Sequence, residues 1–156
     1  MSAHTRLIIA TLMVAAFTIG TDFTGALLLV SAIEDDFGAD ITTTQWVLNI
    51  YAMTFSMFMV AGGRLGDMHG RRRLFLIGSV IFTVASTLCF LAPSIGWLIG
   101  ARALQGVGAA IMWPCILASG TTVVQEDQRG LVMGLILAGV TSGNVIGPLI
   151  SGVVVS

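Results

Sequence analysis

The chain has 156 residues, 56% of them hydrophobic and 10% charged, with a mean hydropathy of +0.97 and a formal net charge of −1. A soluble domain carries about 25% charged residues, so a chain this apolar cannot cover itself with polar surface and its expected solvent is lipid. No nucleic-acid partner is expected.

A bilayer core of ~30 Å takes about 20 helical residues. Five apolar stretches meet that length, at roughly residues 7–33, 43–65, 74–91, 95–124 and 130–155. The expected fold is therefore all-α, a polytopic membrane helix bundle forming one partial N-terminal transmembrane domain over residues 1–156. The first run is longer than the about 7–15 residues of a signal peptide and has no clean cleavage site, so it reads as a retained span.

The first span contains the only intramembrane acid, Asp22. At 1.5 Å per residue it lies ~12 Å below the outer end of its helix. A charge near the bilayer centre costs from about 2.5 to more than 10 kcal/mol, so such residues face a bundle interior or a wet path, with a partner. The segment that follows, EDDFGAD, carries Glu34, Asp35, Asp36 and Asp40 and no base.

The second span carries Met53, Phe55, Met57, Phe58 and Met59, a polarizable surface that faces lipid or core, with a drug-binding wall as the alternative. After it comes GRLGDMHGRRR, residues 63–73, which holds four of the seven basic residues (Arg64, Arg71, Arg72, Arg73) beside Asp67. Its glycines are expected to permit a tight turn, and Asp67 to neutralise its arginines in a wet loop.

The third and fourth spans are joined by the short uncharged APSIG, and the fourth brings the second intramembrane charge, Arg102. Arg102 lies ~8 Å inside Trp97 and its long side chain reaches deeper. It therefore shares a level with Asp22. The pair is expected either to lock two helices or to form a proton site, since burial opposes ionisation of a carboxylate and a nearby cation favours it.

The fifth span places Gly139, Gly143 and Gly147 at intervals of four, then Pro148, Ser151 and Gly152. That spacing makes one smooth face for close helix packing, and Pro148 favours a kink.

Arginines fix the orientation. Arg6, the 64–73 cluster and Arg129 fall on alternate connections, so the positive-inside rule places the N-terminus and the cluster in the cytoplasm. Trp46 and Trp97 then begin spans at the outer interface. Cys89 and Cys115 lie in apolar runs and read as packed thiols, without metal-ligand spacing. His4 and His69 have no nucleophile or metal constellation around them, so no enzyme is expected.

Several stretches in order resemble the N-terminal part of a major facilitator superfamily transporter, most of all its fourteen-span drug:proton antiporter branch. Gly63 to Arg73 resembles the loop signature G-x-x-x-D-(R/K)-x-G-R-(R/K), on Gly63, Asp67, Gly70, Arg71 and Arg72, with Met68 where the family prefers a base. Arg102, Gln105, Gly106 and Gly108 resemble the fourth-span R-x-x-Q-G-x-G-A-A, and Gly139 to Gly152 the fifth-span antiporter signature, on Gly143, Gly147, Pro148 and Gly152. Thr21, Asp22 and Thr24 resemble the first-span L-D-x-T element, with Leu27 and Ser31 where Asn and Pro often follow; Gln45, Trp46 and Tyr51 suit the second span.

The resemblance implies a multi-pass cell-membrane transporter working by alternating access. It would export small amphipathic organic compounds against protons, driven by the proton gradient and with no cofactor. Asp22 and Arg102 would be its coupling pair, residues 63–73 a latch, and the fifth-span element the mark of antiport. Such a transporter has twelve or fourteen spans, so the chain reads as a fragment whose C-terminal half is missing. The alternatives are uptake or facilitated transport of a metabolite by the same fold, or a short non-transporting membrane protein that binds a partner.

Overall fold

The computed structural model describes residues 3–28 and 30–155, and all the regular structure among them is helical. The helices are α1 (Ala3–Leu28), α2 (Val30–Phe37), α3 (Ile41–His69), α4 (Arg71–Phe90), α5 (Ile95–Thr122) and α6 (Arg129–Val155), with a 3-10 turn at Glu126–Gln128 before the last. Five of them are long and apolar enough to cross a membrane: α1, α3, α4, α5 and α6.

One boundary differs from the hydropathy reading. Residues 66–69, expected as loop beyond a span ending at 65, are the last turn of α3. A 29-residue helix is roughly 43 Å long against a ~30 Å apolar core, so its charged end projects past the hydrocarbon while staying helical.

The chain divides into two compact units. The first consists of α1, α6 and the end of α5 from Ile116 onward. Ile9, Leu12, Ala16 and Ile19 are buried on α1, and Val132 and Ile136 on α6. Gly139, Gly143 and Gly147 continue the α6 face and approach Met13, Phe17 and Thr21, each four residues on from the last. Both numberings rise together, so α1 and α6 run in the same direction. First and fifth spans must do so if each crossing reverses the chain.

The second unit holds α2, α3, α4 and α5 as far as Cys115. On α3 the buried positions are Thr44, Val47, Tyr51, Gly62 and Gly66, and on α4 Leu74, Gly78, Phe82 and Ala85. Both sets recur at three or four residues, one face of each helix. α5 packs on both. Its Gly106, Ala110 and Cys115 meet Tyr51, Gly62 and Gly66 of α3, a parallel pairing, while Gly108 and Met112 meet Phe82 and Gly78 of α4, an antiparallel one. Second-to-fourth and third-to-fourth spans again have the directions that alternate crossing requires.

Glycine is needed where the backbones come this close. A Cβ on Gly62 would lie 2.6 Å from the Ala110 carbonyl oxygen. Pro114, four residues on, has no N–H to give that oxygen. The Cα of Gly62 is left against a carbonyl with no helical donor, a place for a weak C–H···O contact worth about 0.5–1 kcal/mol.

Candidate functional site

Arg102 is 5% exposed on α5, in the middle of the second unit. Its Nη1 donates to Gln105 Oε1 at 2.8 Å, and its Nε to the Val47 carbonyl at 3.4 Å. Its guanidinium carbon lies 4.5 Å from the centroid of the Tyr51 ring. Gln105, one turn along α5, is 1% exposed and also accepts from the Cys89 thiol at 3.7 Å. Helical spacing explains the pairing: residues three apart share a face, so R-x-x-Q sets an amide carbonyl beside the guanidinium. A buried cation is tolerable only when its donors are satisfied, and a desolvated cation–π contact is worth about 2 kcal/mol.

Gly106, the third residue of the fourth-span motif, lies where a Cβ would strike Thr54 Oγ1 and approach the Tyr51 carbonyl oxygen to 2.6 Å. Its absent side chain brings α5 close enough to α3 for Arg102 to reach Val47 and Tyr51. The motif therefore supplies a cation, its acceptor and the spacer that admits both to one seam.

Residues 63–73 form a helix end, a one-residue turn and a helix start. Gly70 alone among them has a positive φ, 94°, and its N–H caps α3 by donating to the Gly66 carbonyl at 3.0 Å. Gly63 and Gly66 are helical and serve packing instead: Gly63 faces the Pro114 ring, and a Cβ on Gly66 would meet Cys115 Sγ at 3.0 Å. Arg71 donates through Nε and Nη2 to Asp67 Oδ1 at 3.2 and 3.1 Å, bridging the turn, with both side chains well exposed. Arg64, Arg72 and Arg73 are exposed. The expectation of a wet loop is thus corrected to a helical hairpin with a single glycine hinge, because only position 70 leaves helical geometry.

Asp22 is half-buried on α1, in the other unit. Thr21, beside it, has a buried hydroxyl without a hydrogen-bond partner and faces the α6 glycines. A Cβ on Gly143 would strike the Phe17 carbonyl oxygen and lie 2.8 Å from the Thr21 nitrogen, and one on Gly147 would lie 2.7 Å from the Thr21 carbonyl oxygen. α6 continues through Pro148 to Val155. Gly152 is apart from this seam: it is exposed, and nothing lies within 4 Å of where its Cβ would be.

Residues 12–156 match the Major Facilitator Superfamily. The chain belongs to that family. It is 35% identical over 145 residues to the multidrug efflux pump LfrA of Mycolicibacterium smegmatis, covering 92% of this chain and 29% of that protein. It is 36% identical over 151 residues to the cephamycin export protein CmcT of Amycolatopsis lactamdurans, covering 94% of this chain and 31% of that protein. A third relative, the riboflavin transporter RibZ of Clostridioides difficile, is 34% identical over 122 residues, or 78% of this chain and 27% of that protein. The chain thus spans less than a third of the length of these curated relatives. Its membership of this superfamily of transporters and its five apolar helices make it a multi-pass membrane protein, not an enzyme.

Within this major facilitator chain, two features of the site were not read from the sequence. Tyr51 was recognised as suiting its span, not as the surface under Arg102; the signal available was its position four residues after Val47, the spacing of one α3 face. Cys89 was read as a packed thiol, yet it is half-buried and touches Gln105. No local pattern marks that contact, since it joins residues on two antiparallel helices. Of the methionine surface, Met53, Met57, Phe58 and Met59 are exposed, and Phe55 instead stacks on Tyr51.

Proposed function

We propose that the protein carrying this chain exports small amphipathic organic compounds across the cell membrane in exchange for protons, by alternating access. Asp22 is the group that loads and releases the proton. Arg102, held by Gln105, is the second member of the coupling pair. The N-terminus and the Gly70 hinge face the cytoplasm, where Asp67, Arg71 and Arg72 engage the C-terminal half as a latch. The α6 seam of Gly143, Gly147 and Pro148 is the close-packed element of antiport.

The observation that carries this reading is the satisfied burial of Arg102 among Gln105, Val47 and Tyr51. An arginine kept at such cost inside a membrane helix marks a functional path. The printed functions of LfrA and CmcT, a multidrug efflux pump and an export protein, favour outward transport of organic compounds. Everted vesicles containing the protein expressed from its complete reading frame test it. An amphipathic dye accumulates when the lumen is acid, and Asp22→Asn abolishes that accumulation while the protein still inserts. Retained proton-driven accumulation in Asp22→Asn would falsify the assignment.

A second reading, proton-linked uptake of a metabolite, is favoured by the relationship to RibZ, a riboflavin transporter. It predicts accumulation in right-side-out vesicles under an inward proton gradient and none in everted ones.

A further inference from the structure

We infer that the Thr21 hydroxyl keeps the α1–α6 seam ready to part, because closing the seam leaves that hydroxyl unsatisfied; this rests on the part given to the seam in the antiport proposed above. Other threonines of α1 show what a hydroxyl does on this helix. Thr11, Thr18 and Thr24 donate to the carbonyls of Leu7, Val14 and Gly20, each four residues back, at 3.0, 2.9 and 3.0 Å. That local bond is the ordinary outlet for a hydroxyl where water is scarce. Thr21, between Thr18 and Thr24, does not make it. Its buried oxygen has no hydrogen-bond partner among the described residues.

The reason lies on α6, in the same compact unit. The carbonyl four residues back from Thr21 is that of Phe17, and Gly143 is pressed against it. The Thr21 oxygen shares that crowding, 3.0 Å from where a Gly143 Cβ would be. Facing a glycine does not by itself forbid the bond. Thr54 of α3 is pressed against Gly106 and still donates to the Ile50 carbonyl at 2.8 Å. Thr24 faces Gly147 and keeps its bond to Gly20. At Thr21 the close approach of the helices and the local hydrogen bond are not made together.

A threonine in a helix has two rotamers within reach, one of which sets its oxygen against the carbonyl of the preceding turn. When α6 withdraws from Phe17, Thr21 turns to that rotamer and recovers the bond inside its own helix. Closed, the seam has its backbone contacts and lacks one hydrogen bond; open, the reverse holds. The hydroxyl therefore brings the two states nearer in free energy, as a seam that opens and closes in every cycle requires. A valine of the same shape has nothing to recover and leaves the seam shut.

The test compares Thr21→Val, which keeps the shape and loses the hydroxyl, with Thr21→Ser, which keeps the hydroxyl and loses the methyl. Ser151 supplies the reporter: it is buried, with its Oγ 3.2 Å from where a Cβ on Gly25 of α1 would be. In the complete protein carrying Cys89→Ala and Cys115→Ala, a Ser151→Cys thiol reacts with a small thiol reagent only when the seam opens. Thr21→Val slows that reaction by about fivefold or more, the lower bound for a buried polar group left without a partner. Thr21→Ser does not slow it. Unslowed labelling in Thr21→Val overturns the inference, and so does equal slowing in Thr21→Ser.

Transport separates this inference from the function it rests on. In vesicles, Thr21→Val lowers the maximal rate of dye transport per inserted protein, and Thr21→Ser keeps it nearer that of the parent. Slowed labelling with a parental maximal rate overturns the inference, since opening then has no part in the cycle. Slowed labelling and slowed transport in a protein whose parent moves dye without exchanging protons uphold the role of the hydroxyl and reject the antiport reading.

Discussion

The α1–α6 seam and the α3–α5 seam are both parallel, and both depend on glycine, yet they are closed differently. Along α1–α6 the backbones meet directly: Gly139, Gly143 and Gly147 face the carbonyls of Met13, Phe17 and Thr21. Along α3–α5 the helices also touch through glycine, at Gly62, Gly66 and Gly106, but a buried cation with named partners sits at one end. A backbone seam is held by shape and by many weak contacts, so it tolerates small sliding but no added atom. A seam built around Arg102 is held by directional bonds, so it tolerates little rotation and is sensitive to which side chains remain. Close backbone packing suits a surface that slides. Anchored packing suits one that must keep a charge in place.

That contrast breaks most severely at the backbone seam. Gly143→Ala puts a methyl against the Phe17 carbonyl, with the Thr21 nitrogen also in the way. We expect at least about 1–3 kcal/mol of destabilisation, the range for overpacking a tight core, read as a lower unfolding midpoint of the complete protein in detergent. Thermal stability equal to that of the parent would mean that the two helices are not in contact.

The anchored seam answers to side-chain chemistry. Gln105→Leu preserves bulk but removes the acceptor from Arg102 Nη1, at an expected cost of about 1–3 kcal/mol for a buried donor left unpaired. The additional Arg102→Met change should recover part of that loss, because no cation then remains to satisfy. A double variant less stable than Gln105→Leu alone would show that the network is not built around the charge.

At the turn between α3 and α4 the effects are smaller. A Cβ at Gly66 meets only the Cys115 sulfur, at 3.0 Å, so Gly66→Ala should cost less than Gly143→Ala and be relieved by Cys115→Ala in the same unfolding assay. The Asp67–Arg71 pair is exposed, so Asp67→Asn should change stability by no more than about 0.2–1 kcal/mol and be masked by salt. If the latch forms, the same variant lowers transport well beyond what its stability explains, and unchanged export counts against it.

The smallest effect lies at the start of α3. Thr43 Oγ1 donates to Asp40 Oδ1 at 2.6 Å, and this bond holds the Asp40 carboxyl below its ordinary value of 3.8. A lowered value means that the ionised form is favoured in the folded helix. Its contribution is present above pH 3.8 and fades as pH falls through the lowered value. Amide exchange at the first turn of α3 should quicken only in strong acid, and Asp40→Asn should remove that dependence.

Much of this was legible in the sequence, for physical reasons. Apolar length reveals spans because lipid tolerates little else. Helix extents were less legible. Asp67 and His69 fall outside the apolar stretch, although a helix continues readily into the headgroup region. Glycine spacing in the last span marked a packing face, but only the structure supplies its partner, α1. R-x-x-Q was legible only as a motif; its hydrogen bond emerged with the helix, and the ring of Tyr51 and the thiol of Cys89 come from other helices, where no spacing rule reaches.

The proposed function makes proton movement and substrate movement one event coupled through Asp22 and Arg102. The most direct measurement is proton release into a weakly buffered solution when an amphipathic dye is added to the purified complete protein. The account predicts release on binding in the parent, none in Asp22→Asn, and a displaced pH dependence in Arg102→Met. Undiminished proton release from Asp22→Asn, or dye binding by the parent with no release at any pH, would contradict it.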